Sequence, residues 1–205
     1  MNNRKVKIGV VGVGSLGQHH ARIYAQMPEA ELVGVCDVDA ERVGKLASQY
    51  GTAAYTSVNE LAGKVEALSV VVPTDKHREV AGALIEKGIH LLVEKPIAAT
   101  TAEAEELVAL AQKKGVILQV GHIERFNPVL TFLDQMPRKP RFIEAHRLAP
   151  YPPPREGLLP RGTEVSVVLD LMIHDLEVIL QLVGSPVREI RAVGVPVLRG
   201  SEDIA

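Results

Sequence analysis

From Lys5 to about Val120 the chain alternates between short, almost continuous apolar runs and longer segments with helical spacing. The runs Val6–Val11, Leu32–Cys36, Leu68–Val72, Ile89–Val93 and Val116–Val120 are rich in Val, Ile and Leu. That composition belongs to strands covered on both faces. Between them, Leu16–Gln26, Ala40–Tyr50, Lys76–Lys87 and Thr101–Lys114 read as helices, and Gly88 and Gly115 stand where C-caps belong. Alternating β and α units predict a doubly wound parallel sheet with right-handed crossovers.

The rhythm changes after residue 120. Pro128–Met136 reads as a short helix with Pro in its first turn, and Arg141–Leu148 reads as a strand. The run Ala149-Pro150-Tyr151-Pro152-Pro153-Pro154 cannot continue a helix or a central strand, so a long surface loop is expected through Gly162. A helix over about Val168–Val183, closed by Gly184 and Pro186, and a last strand over Val187–Val197 complete the pattern. One helix and two strands bury little apolar area by themselves. The expected fold is therefore α/β: a doubly wound parallel-sheet Rossmann domain over residues 1–122, followed by an incomplete α+β domain over 123–205.

Composition narrows the function classes. The chain has 205 residues, 46% of them hydrophobic and 23% charged, which suits a folded globular protein and excludes long disorder. Aromatics make up 3%, without Trp, so a base-stacking platform is excluded. The net charge of −2 gives no pull towards nucleic acid or anionic membrane. A single cysteine excludes an internal disulfide framework and a multi-cysteine zinc site. No apolar run approaches the roughly 20 residues that span a bilayer, and no small-residue cleavage site follows Arg4, Lys5 and Lys7. These features predict a cytoplasmic protein with a small-molecule partner and neither a nucleic-acid nor a membrane partner.

Gly12-Val13-Gly14-Ser15-Leu16-Gly17 is a G-x-G-x-x-G that follows a buried strand and opens a helix, the context a dinucleotide fingerprint requires. In that reading Gly12 permits the tight turn, Gly14 lets a pyrophosphate reach the backbone, and Gly17 allows close helix–strand packing. The phosphates would meet the positive end of the helix. Asp37 ends the second strand, twenty residues after Gly17. A carboxylate there binds the adenosine ribose hydroxyls and repels a 2′-phosphate. With Val38 next in place of an arginine, NAD is the expected cofactor, while Arg42 keeps NADP use open.

Other residues carry competing readings. Glu94-Lys95-Pro96 follows the run Ile89–Val93, at a strand's carboxyl end where open parallel sheets bind ligands; a solvated turn lysine is the plain alternative. His77 starts a helix after Pro73-Thr74-Asp75, at a similar position. Asp170 and His174 lie four apart on one helix, and Glu177 and Gln181 continue the stripe. The stripe is either an exposed face or the wall of a cleft. In the second case a histidine general base stands beside an aspartate that stabilises its imidazolium. The pair could also supply two metal ligands, but no third ligand stands out and no metal is expected. Cys36, inside an apolar strand, is expected to be a buried hydrophobe without a chemical role.

Taken together, these motifs resemble the Gfo/Idh/MocA family of oxidoreductases. The matching pieces are Gly12–Gly17 with His20, Asp37, Pro73-Thr74 with His77, Glu94-Lys95-Pro96, and Asp170 with His174. The resemblance implies an NAD-dependent sugar dehydrogenase with Lys95, Asp170 and His174 as catalytic residues. It also implies a cofactor site formed by Gly12, Gly14, Ser15, Leu16, Gly17, Asp37, Pro73, Thr74, His77 and Glu94. The substrate hydroxyl would lose its proton to the histidine while its carbon gives hydride to nicotinamide. A cis Lys95–Pro96 bond and a homo-oligomer are implied as well.

Within the family, Gly121–Pro128 and Gly12–Tyr24 resemble members that act on nucleotide sugars. UDP-N-acetylglucosamine, oxidised from 3-hydroxyl to 3-keto, is the implied substrate. Arg125, Arg147, Arg155 and Arg161 could then face a diphosphate. Family members normally run well over a hundred residues further. The alternative expectation is a truncated, non-catalytic NAD-binding Rossmann protein that acts as a binding or regulatory module.

Overall fold

The computed structural model describes residues 4–135, 140–153 and 163–205, which fall into two compact units, 1–121 and 122–205. The first contains six parallel strands: β1 (Val6–Val11), β2 (Ala30–Cys36), β3 (Ala53–Tyr55), β4 (Ala67–Val70), β5 (His90–Val93) and β6 (Leu118–Val120). Their order across the sheet is β3-β2-β1-β4-β5-β6. The helices are α1 (Gly17–Gln26), α2 (Ala40–Tyr50), α3 (Val58–Ala62), α4 (His77–Glu86) and α5 (Thr101–Lys114). This is the doubly wound α/β architecture that the apolar periodicity predicts.

Alternation along each strand sends neighbouring side chains to opposite faces. Val10 of β1 and Val35 of β2 join Ala21 of α1 and Val43 and Ala47 of α2 in one buried cluster. Val11, Val70 and Val93 point the other way, against Leu61 of α3, Leu84 and Ile85 of α4, and Leu107 of α5. The chain thus winds outward in both directions from β1 and β4. The carboxyl ends of these two strands flank the switch point, where such sheets bind ligands. Backbone bonds carry the sheet one residue further into the loops: Gly12 to Cys36, Val71 to Val11, Glu94 to Val70 and Gly121 to Val93, all 2.8–3.0 Å.

Two small elements escape the sequence reading. β3 is three residues of Ala, Ala and Tyr and has no apolar run to announce it; it exists by pairing with Gly34–Cys36. α3 is a single short turn of helix.

The second unit contains a 3₁₀ turn at Ile123–Phe126, α6 (Pro128–Asp134), a π-helical turn at Val168–Met172 and α7 (Ile173–Val183). Here the structure differs from the two expected strands. Neither Arg141–Leu148 nor Val187–Val197 forms a strand. The β-type contact recorded in this unit is a single bridge, Val195 to Ile204. A strand needs a neighbour to receive its hydrogen bonds along its length, and among the described residues Arg141–Leu148 pairs with no strand while Val187–Val197 pairs only at Val195. Their apolar side chains are exposed, Phe142 at 82%, Leu148 at 93% and Ile190 at 78%. His146 is exposed and pairs with Glu144 at 2.8 Å. The loop around the bridge is instead held by Asp203, whose carboxylate accepts the backbone N–H groups of Val197, Leu198 and Arg199.

Candidate active site

The fingerprint loop separates what the fold requires from what it leaves open. Gly12 has φ of +83°, and a Cβ there would stand 2.5 Å from the Val71 carbonyl oxygen. A Cβ on Gly17 would stand 1.8 Å from the Gly12 carbonyl oxygen. Both must be glycine for the loop to pack between β1, β4 and α1. Gly14 differs: its φ is not positive, and a Cβ would meet nothing within 4 Å. Helix α1 begins just beyond, with Leu16 as its N-cap, no side-chain cap and no acidic residue in its first turn. Its positive end is thus not neutralised by its own sequence, and the space over Gly14 is open to an anion. Ser15 and Leu16 lie in the same turn.

Asp37, at the end of β2, is 8% exposed. It accepts the Val13 N–H at 2.8 Å and the Asp39 N–H at 3.0 Å, so it ties the fingerprint loop to the turn before α2. The Arg42 guanidinium stands 3.3 Å from both of its oxygens and also pairs with Asp39. The carboxylate therefore serves the protein's own turn, and its charge is partly balanced by Arg42. Neighbouring Cys36 is buried, and burial together with the Asp37 and Glu60 carboxylates pushes its thiol up to about 11. Such a thiol stays protonated and is a poor nucleophile, in keeping with the role-free reading.

Beyond β4, Pro73 precedes a 3₁₀ turn, Thr74–Lys76, and Thr74 is 6% exposed. His77 is 1% exposed, with Nδ1 at 2.8 Å from the Pro96 carbonyl and Nε2 at 2.9 Å from the Val72 carbonyl. Both ring nitrogens face backbone carbonyls, so this side chain braces the β4 and β5 loops against each other. Lys95–Pro96 is a cis peptide, as the resemblance implied. Glu94 is 8% exposed. Burial alone would raise its pKa, but the hydrogen bonds from His20 and from the Lys95 amide hold it below the ordinary glutamate value.

In the second unit the wider π turn carries Asp170, immediately before the α-helical turn that carries His174. Such i→i+5 turns are frequent at functional sites. Of the rest of the polar stripe, Glu177 is paired with Arg125. Arg147 makes a two-pronged contact with Asp175, 2.8 and 2.9 Å. That pair holds the Asp175 carboxyl below its usual range. Arg125 and Arg147 thus already have carboxylate partners within their own unit, while Arg155 and Arg161 lie outside the described residues. Among the described residues no group of three His, Cys, Asp or Glu could hold a metal, and no helix is long and apolar enough to cross a membrane.

Residues 6–122 match the model of an oxidoreductase family with an NAD-binding Rossmann fold, Gfo/Idh/MocA. The chain belongs to that family. It is 40% identical to UDP-N-acetylglucosamine 3-dehydrogenase of Acidithiobacillus ferrooxidans over 98% of its own length and 61% of the relative's. The solved structure of that relative superposes on 97% of this chain with a TM-score of 0.86 and is itself covered to 61%. A myo-inositol 2-dehydrogenase of Thermotoga maritima is 28% identical over 92% of the chain and 58% of its own length. The WlbA dehydrogenase from Bordetella pertussis, solved with NADH and UDP-GlcNAcA, is 26% identical, with a TM-score of 0.60 over 63% of this chain and 41% of its own. The chain spans about three-fifths of the length of these curated relatives.

Proposed function

We propose that the chain is the nucleotide-binding part, with the beginning of the substrate part, of an NAD-dependent dehydrogenase for nucleotide sugars. The favoured substrate is UDP-N-acetylglucosamine, oxidised at the 3-hydroxyl to a ketone. The observation that carries the cofactor reading is Gly14, a glycine that no protein atom demands, beside an uncapped helix start. The pyrophosphate would lie there against Ser15, Leu16 and Gly17, with the adenosine ribose at Asp37. Asp37 favours NAD, while Arg42 beside it offsets part of the repulsion towards a 2′-phosphate and leaves NADP usable. Pro73, Thr74 and Glu94 border the nicotinamide half, with His77 bracing them.

The nicotinamide ring, when bound, supplies the acceptor for a hydride. The chain's own residues handle the proton. Removing hydride from the alcohol carbon leaves a proton on its oxygen, which a ring nitrogen of His174 accepts as the carbonyl forms. Asp170 stabilises the resulting imidazolium, and the Lys95 ammonium holds the substrate oxygen. The nucleotide-sugar assignment draws support from the relative that is 40% identical. A homo-oligomer is part of the proposal.

NADH fluorescence tests this reading, with the chain, NAD and a panel of UDP-N-acetylglucosamine, other UDP-sugars and myo-inositol. NADH formation with UDP-N-acetylglucosamine and a 3-keto product are expected. Binding of NADH without turnover of any sugar would favour the second reading, a non-catalytic nucleotide-binding module. One observation supports that alternative: in the second unit, Val165 is the only hydrophobic side chain among the described residues with under a tenth of its surface exposed. Absence of NADH binding would overturn both.

A further inference from the structure

On the face of the sheet that packs against α1, a serine interrupts an otherwise apolar strand. Ser69 lies in β4 between Leu68 and Val70, and its side chain is fully buried. It has two partners, both from α1: the Tyr24 hydroxyl at 2.7 Å and His20 Nδ1 at 3.1 Å. The other nitrogen of His20, Nε2, is 3.1 Å from Glu94 Oε1, and Glu94 Oε2 accepts the Lys95 amide at 3.2 Å. The Glu94 carboxylate also fits closely over Gly121, where a Cβ would stand 2.7 Å from Oε1. Sheet, helix and glycine together leave this carboxylate little freedom.

The donors and acceptors fix a direction. A carboxylate only accepts, so the proton of His20 must sit on Nε2. Nδ1 of the neutral ring then accepts, and the Ser69 hydroxyl must donate to it. With its proton committed, Ser69 Oγ accepts from Tyr24. We propose that Tyr24, Ser69 and His20 form a one-way hydrogen-bond relay that holds the Glu94 carboxylate and, through it, positions Lys95 at the carboxyl end of β5. His20 is thus a positioning residue. A buried polar chain of this kind is stable only when every member is satisfied, and each link from Tyr24 to the Lys95 amide has its partner. The importance of Lys95 rests on the proposed dehydrogenase reading, but the relay is tested without cofactor or substrate.

The experiment is nuclear magnetic resonance on the ¹⁵N-labelled chain. Long-range ¹⁵N–¹H correlation of the imidazoles, with His20 identified by its absence from His20→Gln, reports which ring nitrogen carries the proton. A proton on Nε2 alone is expected; a proton on Nδ1, alone or together with Nε2, overturns the relay. The Lys95 amide provides the second readout. Its proton should move upfield in His20→Ala and Ser69→Ala, as its bond to Glu94 loosens, and return in His20→Gln, whose amide still donates to the carboxylate. An unmoved Lys95 amide in His20→Ala would make the cluster structural only and overturn the positioning role. If His20→Ala fails to fold, Ser69→Ala and the wild-type tautomer decide.

Discussion

Gly14 shows how a single position can be separated from its motif. Gly12 and Gly17 are demanded by backbone atoms within 2.5 Å of an added Cβ, whereas Gly14 faces open space. Gly14→Ala is therefore expected to leave the melting temperature unchanged or to stabilise by about 0.4–1 kcal/mol through the unfolded chain. It should at the same time weaken NADH binding, because the methyl occupies the pyrophosphate's approach. Calorimetric titration beside a thermal melt checks both, and full affinity in Gly14→Ala would remove the pyrophosphate from this loop. Asp37→Ala should weaken NAD binding and narrow the preference over NADP, since the ribose acceptor goes and Arg42 is released. Equal, unchanged affinities for both cofactors would end that assignment. His174→Ala should retain NADH binding but lower turnover by roughly 10²–10⁴, the usual worth of general acid–base help, and Lys95→Ala should behave alike. Near-normal turnover would exclude His174 as the base, or Lys95 from holding the substrate oxygen.

At the level of elements, the helices most legible in the sequence are those whose ends are set locally. Asp39 caps α2 by accepting the Arg42 N–H. Thr100 and Glu103 form a reciprocal capping box on α5, which ends at Gly115 in the left-handed conformation. Both helices have the bounds that the residue pattern predicts. The relay between α1, β4 and β5 was not legible, because Ser69 acquires partners only when Tyr24 and His20 are brought over it. A serine inside an apolar run was the one signal. Glu94 gives this junction a pH dependence. Its folded-state pKa is lowered, so its contribution to stability is present above the ordinary glutamate value and is lost as pH falls through that value towards the folded one. Glu94→Gln should be less stable than wild type near neutrality, and the gap should shrink below about pH 4.5, the ordinary glutamate value. Urea midpoints measured across that range test the sign, and a pH-independent gap would contradict it.

For the molecule as a whole, the two units differ in how they bury apolar surface. The first has two clusters, one on each sheet face, with Val10, Val35, Leu61, Val70, Ile85 and Val93 fully covered. In the second, Ile123, Phe126, Phe132, Phe142, Ile190 and Val193 are each at least 66% exposed. Exposed apolar side chains beside unpaired backbone invite association. The 205-residue chain is therefore expected to self-associate, with fast hydrogen exchange beyond about Gly184 and slow exchange in the six-stranded sheet. Light scattering and exchange measured together decide this: a monomer strongly protected throughout Val187–Val197 would refute it.

The sequence by itself determined the first unit and the fingerprint loop at its switch point. Apolar period, caps and the fingerprint glycines are short-range signals, and each βαβ unit is built from neighbours in the chain. It also placed Asp37, Lys95 and the Asp170–His174 helix within their elements, because motif spacing and family resemblance are properties of the chain itself. Only the tertiary structure decided what these side chains touch. Asp37 is shared with Val13, Asp39 and Arg42, His77 braces two backbone carbonyls, and His20 reaches Glu94, seventy-four residues away. The tertiary structure likewise decided against the two strands of the second unit. Apolar composition makes a segment suitable for a sheet, but a strand forms only where another backbone is in reach to take its hydrogen bonds.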